Sequence, residues 1–241
     1  MISEKDKCIA IMQPYFLPYI GYFSLINISD EFILFDTPQY MRHSWIERNR
    51  ILKLDGEPNY IKVALKKTKQ TDSINTVCIN NSINWKGKIF GQLTHYKKKA
   101  PYYTKVINLL EVIFQTEYDS ITKLNLASLT IICDYLGIHT PIKIWSEMDL
   151  EIDSVNAPDE WALNICKACN ANKYINAIGG KTFFEKEKYS TNNIELKFLE
   201  QIPKPYKQFT NEFVPFLSII DVMMFCSVMD IRKMLNLIIC K

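Results

Sequence analysis

Two prolines, Pro14 and Pro18, stand just beyond the apolar run CIAIM in the stretch IAIMQPYFLPYIGYFSLI, and they confine what this chain can build first. Each proline disfavours helix at the residue before it, so Gln13 and Leu17 are extended or bent and a helix can begin only after Pro18. From Tyr19 onward Tyr19, Ile20, Phe23 and Ile26 recur at helical spacing, and residues 27–30 end the pattern. Residues 31–36, EFILFD, then read as a continuous apolar strand with an acid at its carboxyl end. Strand, helix and strand in such close succession form a βαβ unit, whose crossover is right-handed in a parallel sheet. That start specifies a Rossmann-like α/β domain.

The remaining chain extends this plan. Further strands are predicted at 59–65 (NYIKVAL) and 74–79 (INTVCI). A helical block follows, over 85–96, over 102–114 opened by Pro101, and over 120–136 with Gly137 as its stop. These helices are expected to pack as a bundle against the sheet. PIKIWS at 141–146 returns to strand, and Pro158, Asp159 and Glu160 open another helix. KYINAIGGK reads as strand then turn, IELKFLE at 194–200 as strand, and the last apolar segment as one or two helices from near Ser218. No repeat or linker divides the chain, so the expectation is a single α/β domain over 1–241, a Rossmann-like parallel sheet with an inserted helical block. A chain of 241 residues buries roughly 70 to 75% of the surface its unfolded form exposes, enough for such a core. Its 48% hydrophobic and 23% charged content excludes disordered and fibrous classes.

Charge and cysteine usage narrow the partners. The net charge is only +3, and the two lysine runs, at 66–69 and 97–99, read as solvated faces, so nucleic acid is not an expected partner. Seven cysteines include one CxxC, Cys166 to Cys169, on the apolar face of the predicted 160s helix. A CxxC without a second pair does not make a zinc site, and no other spacing suggests a metal. Buried free thiols in a reducing compartment are expected. MISEKDKC has no apolar leader core and no window suits a membrane span, which points to a soluble, cytoplasmic protein.

In an open parallel sheet, ligands bind beyond the carboxyl ends of the strands, near the point where strand order reverses. Three turns qualify. The first, 13–21, offers Gln13, the hydroxyls of Tyr15, Tyr19 and Tyr22, the small Gly21 and a helix N-terminus suited to phosphate or carboxylate. The second, DTPQYMRHSWIERNR, is the densest polar stretch: Arg42, Arg48 and Arg50 present fork donors for an anion, Asp36 can accept from a sugar hydroxyl, and Tyr40 or Trp45 can stack on a ring. His43 lies among them without a Ser or Cys at triad spacing. In the third, Gly179, Gly180 and Lys181 could form an anion-holding backbone nest. Asp221 lies in the apolar run LSIIDVMMF, where a carboxylate needs a partner, and Arg48 is the expected one. His95 and His139 stand apart from these turns.

Four stretches, QPYFLPYIGYFSLI, DEFILFDTPQYMRHSWIERNRI, YINAIGGKTFFEKEKYSTNNIELKF and YKQFTNEFVPFLSIIDVMMF, resemble in order the WbqC-like family, whose pattern runs QPxYLPWxGYF, aDxFVxxDxVQYxkrxWxNRNxI, YLSGxxGxxYL and FxPxLSIxDLLFNxG. The resemblance covers nearly the whole chain. It marks Gln13, Pro14, Pro18 and Gly21, then Asp36, Gln39, Tyr40, Arg42, Trp45, Arg48, Asn49 and Arg50, then Gly180, and finally Ser218 and Asp221. Tyr19 stands where the family has Trp, and FCSVMD lacks the glycine that follows the last motif. The family looks like one of bacterial surface-polysaccharide (O-antigen) biosynthesis. The resemblance therefore implies a transferase that modifies a nucleotide-linked amino sugar, attaching an acyl or aminoacyl group such as glycyl to the sugar amine. In that reading the second turn holds the pyrophosphate, the first turn the sugar or acyl donor, and Asp36, Asp221 or His43 serves the attacking amine. The alternative is a non-catalytic sugar-nucleotide-binding or assembly-partner protein. A third reading, ATP-dependent amide ligation, follows from a more distant similarity to nucleotidyltransferase-like folds, whose paired histidines this chain lacks. The residues name no cofactor.

Overall fold

A computed structural model describes residues 6–69, 71–210 and 212–241. Residues 1–5, part of the stretch on which the leader reading rests, lie outside them. The apolar run after Lys7 forms β1 (Cys8–Met12), the chain bends through both prolines, and α1 (Ile20–Ile28) and β2 (Glu31–Leu34) complete the predicted βαβ unit. β1 and β2 pair in parallel from Ile9 opposite Glu31 to Met12 opposite Leu34.

Among the described residues the main sheet has six strands in the order β5-β2-β1-β6-β7-β8, where β5 is Ile142–Ile144, β6 Lys173–Ala177, β7 Glu195–Gln201 and β8 Ile238–Cys240. All neighbours pair in parallel except β7 and β8. The predicted Rossmann-like α/β sheet is therefore present. The helical block lies between β2 and β5 as α2 (Trp85–Leu93), α3 (Tyr103–Gln115) and α4 (Ile121–Leu136), and Gly137 ends α4 at φ 71°, a left-handed position that suits glycine.

Strand alternation divides the core into two layers. Ala10, Phe32 and Leu34 face α1, α4, α7 (Ile219–Phe225) and α8 (Val228–Leu235) in one apolar cluster. Ile9, Ile11, Ile33, Tyr174 and Phe198 face α5 (Glu160–Ala168) and α6 (Lys186–Thr191) in the other. Each fully buried isoleucine or phenylalanine contributes roughly 1.5–3 kcal/mol. The CxxC sits in the second layer: Cys166 and Cys169 are free and buried, and burial pushes both thiols up, away from reactivity.

Two predicted strands differ. Residues 58–62 pair antiparallel with an unpredicted strand, so that β3 (Arg48–Leu52) and β4 (Pro58–Lys62) form a hairpin apart from the main sheet. Residues 74–79 form a 3-10 turn, Ile74–Thr76, flanked by single bridges from Leu65 to Ile79 and Cys78 to Ser120. Ile74 and Val77 are both buried at a spacing of three, which a helical turn satisfies and strand alternation does not. Neither α6 nor β8 was predicted. No helix among the described residues is long and apolar enough to cross a membrane.

Candidate functional site

The sheet order places a crevice where ligands of such folds bind. From β1 the chain proceeds outward through β2 to β5 on one side, then fills the other side with β6 and β7, so the order reverses between β1 and β6. Beyond the carboxyl ends of those strands lies a cleft with two lobes of about 440 and 410 Å³. Met12, Tyr15 and Asn176 line both lobes and form the wall between them.

The chain's motifs brace one another around this cleft. Phe16 N–H donates to the Trp45 carbonyl at 2.8 Å, and Asn49 Nδ2 returns a bond to the Phe16 carbonyl at 3.0 Å. Ser218 Oγ donates to the Leu17 carbonyl at 2.7 Å and also accepts from Ile220 N–H, capping α7. From α4, Asn125 Nδ2 donates to the carbonyls of Pro14 at 2.7 Å and Ile46 at 2.9 Å, so the helical block fastens the first turn to the second. Leu17 is held at φ 43°, a strained conformation for a branched side chain that these bonds maintain. Gly21 is required by packing: a Cβ there would fall 2.3 Å from the Tyr19 ring, so Tyr19 and not a ligand uses the space.

The two lobes differ chemically. The first is bordered by Tyr19, Trp45, Asn49, Arg50 and Phe216, with Gly179 and Gly180 across from them. Arg50 lies below Trp45 with its guanidinium carbon 5.6 Å from the ring centre, and Nη2 donates to the Phe216 carbonyl at 3.4 Å. Its Nε is buried without a hydrogen-bond partner. Pro18 and Tyr19, which line this lobe, immediately precede α1, and no side chain caps the N-terminus of that helix. The second lobe is aromatic, built from Phe35, Trp161, Tyr174, Phe183 and Phe184, with Phe35 and Trp161 5.4 Å apart between centres. Its polar groups include Gln13 and Thr37, and Thr37 Oγ1 is buried without a partner.

Of the residues proposed from sequence, Tyr15, Tyr19, Trp45, Asn49, Arg50, Gly179 and Gly180 line the first lobe, and Gln13 and Tyr15 the second. Burial raises the hydroxyl pKa of both Tyr15 and Tyr19, so both stay protonated donors. Tyr22 is buried beneath, donating to the Gln13 carbonyl at 2.8 Å. Gln39, Tyr40, Arg42 and His43 lie away from the cleft, around hollows beyond the hairpin. Arg48, on the same face of the hairpin as Arg50, rests over the Tyr60 ring at 4.3 Å and lines neither lobe. Lys181 is exposed and lines neither lobe.

Three expectations are corrected. Gly179 and Gly180 lie in a 3-10 turn, Ile178–Phe183, and neither has positive φ, so the alternating backbone of a nest is not formed. Asp221 is fully buried, but its partners are hydroxyls and an amide, not Arg48: Tyr96 donates at 2.5 Å, Tyr206 at 2.6 Å and Gln208 Nε2 at 3.4 Å. Burial raises this carboxyl and those bonds oppose the shift. Asp36 is not open to a sugar hydroxyl, since it is 1% exposed and accepts from Ser146 N–H at 3.1 Å and Ser146 Oγ at 2.7 Å. Burial raises it too, against the Ser146 bonds.

Sequence reasoning missed Asn176, Phe35, Thr37, Trp161 and Phe216. Asn176 ends an apolar strand as Gln13 does, and its Nδ2 donates to the Tyr174 hydroxyl at 2.7 Å while Oδ1 accepts from Ala177 N–H. Trp161 reads in sequence as a core residue of its helix, yet its ring turns to Phe35 over the second lobe.

The description "WbqC-like protein family" belongs to a family model that matches residues 13–233. A protein of Mycobacterium tuberculosis (strain ATCC 25618 / H37Rv), named "Uncharacterized protein Rv1507c", is 27% identical over 220 residues, covering 90% of this chain and 93% of its own. No solved structure matches.

Proposed function

This chain belongs to the WbqC-like protein family, and we propose that it is a transferase that joins an acyl or aminoacyl group, such as glycyl, to the amine of a nucleotide-linked sugar in bacterial surface-polysaccharide biosynthesis. The observation that carries this reading is the two-lobed cleft at the reversal of strand order, with a cation and stacking rings in one lobe and an apolar aromatic wall in the other. In it, Arg50 holds the diphosphate of the acceptor, and Trp45, Tyr19 and Phe216 flank the ring it carries. The acyl end of the donor lies against Phe35, Trp161 and Phe184. The sugar amine then meets the acyl carbon at the Tyr15 and Asn176 wall, where a protonated Tyr15 donates to the carbonyl oxygen as it gains charge.

The amine nitrogen forms a bond to the acyl carbon, the bond from that carbon to the leaving group breaks, and the proton released by nitrogen is taken by the leaving group. Among the described residues that line the lobes there is no carboxylate, imidazole, thiol or lysine amine. The amine therefore reacts in its neutral form, and the acceleration comes from holding two substrates in line. Asp36, Asp221 and His43 are not the base in this scheme. The same lining supports the rival reading, a sugar-nucleotide-binding protein without turnover.

The test is incubation with UDP- or dTDP-linked amino sugars and either acyl-coenzyme A or an amino acid with ATP, followed by mass spectrometry of the sugar nucleotide. Acylated product in the wild type, lost in Arg50→Ala, is expected. Binding without product from any donor supports the rival, and release of AMP and pyrophosphate marks an amide ligase. A sugar nucleotide at about 100 times its dissociation constant adds roughly 2.7 kcal/mol to stability, so binding is read independently from a thermal shift.

A further inference from the structure

Beyond the β3–β4 hairpin lies a hollow of about 270 Å³ that the cleft does not use. Arg42, Lys62, Lys66 and Lys67 surround it, and none of the four takes part in an ion pair among the described residues. A lysine run alone describes a solvated face, but this hollow is built. The Arg42 guanidinium is fixed by the Thr68 carbonyl, to which Nη2 donates at 2.8 Å. Lys66 is anchored through its N–H on the Cys78 carbonyl, and Lys62 stands opposite Arg48 in the strand register. One carboxylate, Glu47, enters the wall, 1% exposed and hydrogen-bonded to the Ser44 and Tyr40 hydroxyls, and its single negative charge leaves the four cations in excess.

We infer that this hollow is a second anion site, distinct from Arg50 and suited to the phosphate of a second ligand. Like charges gathered around a small concavity focus their field and favour a compact, multiply charged anion over a single carboxylate. The site adjoins the cleft along one face of the hairpin. Arg50 pairs with Tyr60 and Arg48 with Lys62, so one two-residue step of about 7 Å separates the cation of the cleft from the rim of the hollow. Arg48 on Tyr60 fills the step. Resting on the transferase reading for this part alone, the ligand is a phosphorylated acyl or aminoacyl donor whose charged tail is held here while its acyl end reaches the cleft.

Isothermal titration of the full chain with inorganic pyrophosphate tests the site without any turnover. The wild type is expected to show two binding events. Lys66→Ala/Lys67→Ala should weaken one of them about tenfold or more and leave the other, and Arg50→Ala should do the converse. Lys97→Ala/Lys98→Ala, which removes as much charge from an exposed run elsewhere, should change neither. A single event lost only with Arg50→Ala overturns the inference, as does an equal loss in the Lys97/Lys98 variant, which would signify unspecific attraction. If pyrophosphate binding responds to Lys66/Lys67 and not to Arg50, the hollow stands and the proposed cleft assignment falls.

Discussion

The two edges of the parallel sheet are made of the same strands and treat polar groups in opposite ways. At the amino edge they pair: Glu31 at the start of β2 lies 3.2 Å from Lys7 and 3.0 Å from Lys143, Lys173 at the start of β6 pairs with Asp6, and Asp30 accepts from Cys8 N–H. At the carboxyl edge two atoms beside the cleft, Arg50 Nε and Thr37 Oγ1, are buried without hydrogen-bond partners, while the cleft-lining Asn49 and Asn176 are held by bonds to Phe16 and Tyr174. Behind them the two buried carboxylates are engaged, Asp36 by Ser146 and Asp221 by two tyrosines and Gln208. Stability is built at one edge and behind the other, and the surface between is left free for a ligand.

The largest test of that division is Asp221. Asp221→Ala strands the Tyr96 and Tyr206 hydroxyl donors in the core, at about 1–3 kcal/mol each, while Gln208 keeps its bonds to Val214, so urea unfolding should show a loss of about 2 kcal/mol or more. The milder Asp221→Asn gives the pH dependence. Burial raises the carboxyl in the folded state, so its contribution is complete below the ordinary carboxylate range and is lost as pH rises through the folded value. The deficit of Asp221→Asn against the wild type should therefore narrow as pH rises above the ordinary carboxylate range. A widening deficit would mean that the tyrosine bonds outweigh burial. Next in size is Arg50→Ala, expected to weaken sugar-nucleotide binding by about 10- to 100-fold while unfolding stays nearly unchanged. A large loss of stability instead would place Arg50 with the braces and remove it from the site.

These assignments also separate what is legible in the sequence from what is not. β1, α1 and β2 are legible because two prolines and an unbroken helical period act locally, and Gly137 marks a helix end by the same local logic. The neighbour of β1 on its other side is not local: β6 arrives only after the helical block, so the wall that Asn176 supplies has no signature near Gln13. Asp221 is readable as a buried acid, but Tyr96 lies 125 positions away and a tyrosine hydroxyl leaves no charge signal to seek. The arginines of the second turn read as one cluster because a strand was not foreseen there. Once 48–52 is a strand, Arg48 goes to Tyr60, Arg50 to Trp45, and Arg42 stays in the preceding loop.

Glu31→Gln probes the amino edge and should give the opposite sign of pH dependence. Burial pushes the Glu31 carboxyl up, but Lys143 and Lys7 outweigh it and hold it below its ordinary value. A lowered folded-state value gives stability that is present above the ordinary carboxylate range and fades as pH falls through the folded value. Glu31→Gln should cost about 1 kcal/mol near neutral pH, lose that cost on acidification, and leave ligand binding unchanged. Opposite pH trends for Glu31→Gln and Asp221→Asn in one set of urea titrations would sharpen the contrast. Parallel trends would break it.

The smallest expected effect is the most selective. Thr37 Oγ1 is buried beside the aromatic lobe with no partner, so the folded protein already carries the cost of desolvating it. If the hydroxyl were structural, replacing it would weaken the fold; as an uncommitted group its removal should be neutral or stabilising by up to about 1 kcal/mol. Thr37→Val keeps the β-branched shape and isolates the hydroxyl. Its expected signature is an unchanged or higher unfolding midpoint together with about 3- to 10-fold weaker binding of whatever the aromatic lobe accepts, the worth of one neutral hydrogen bond. Affinity left unchanged would show that the lobe recognises its ligand by ring contacts and shape alone, and would confine the uncommitted polar groups of the carboxyl edge to the Arg50 side.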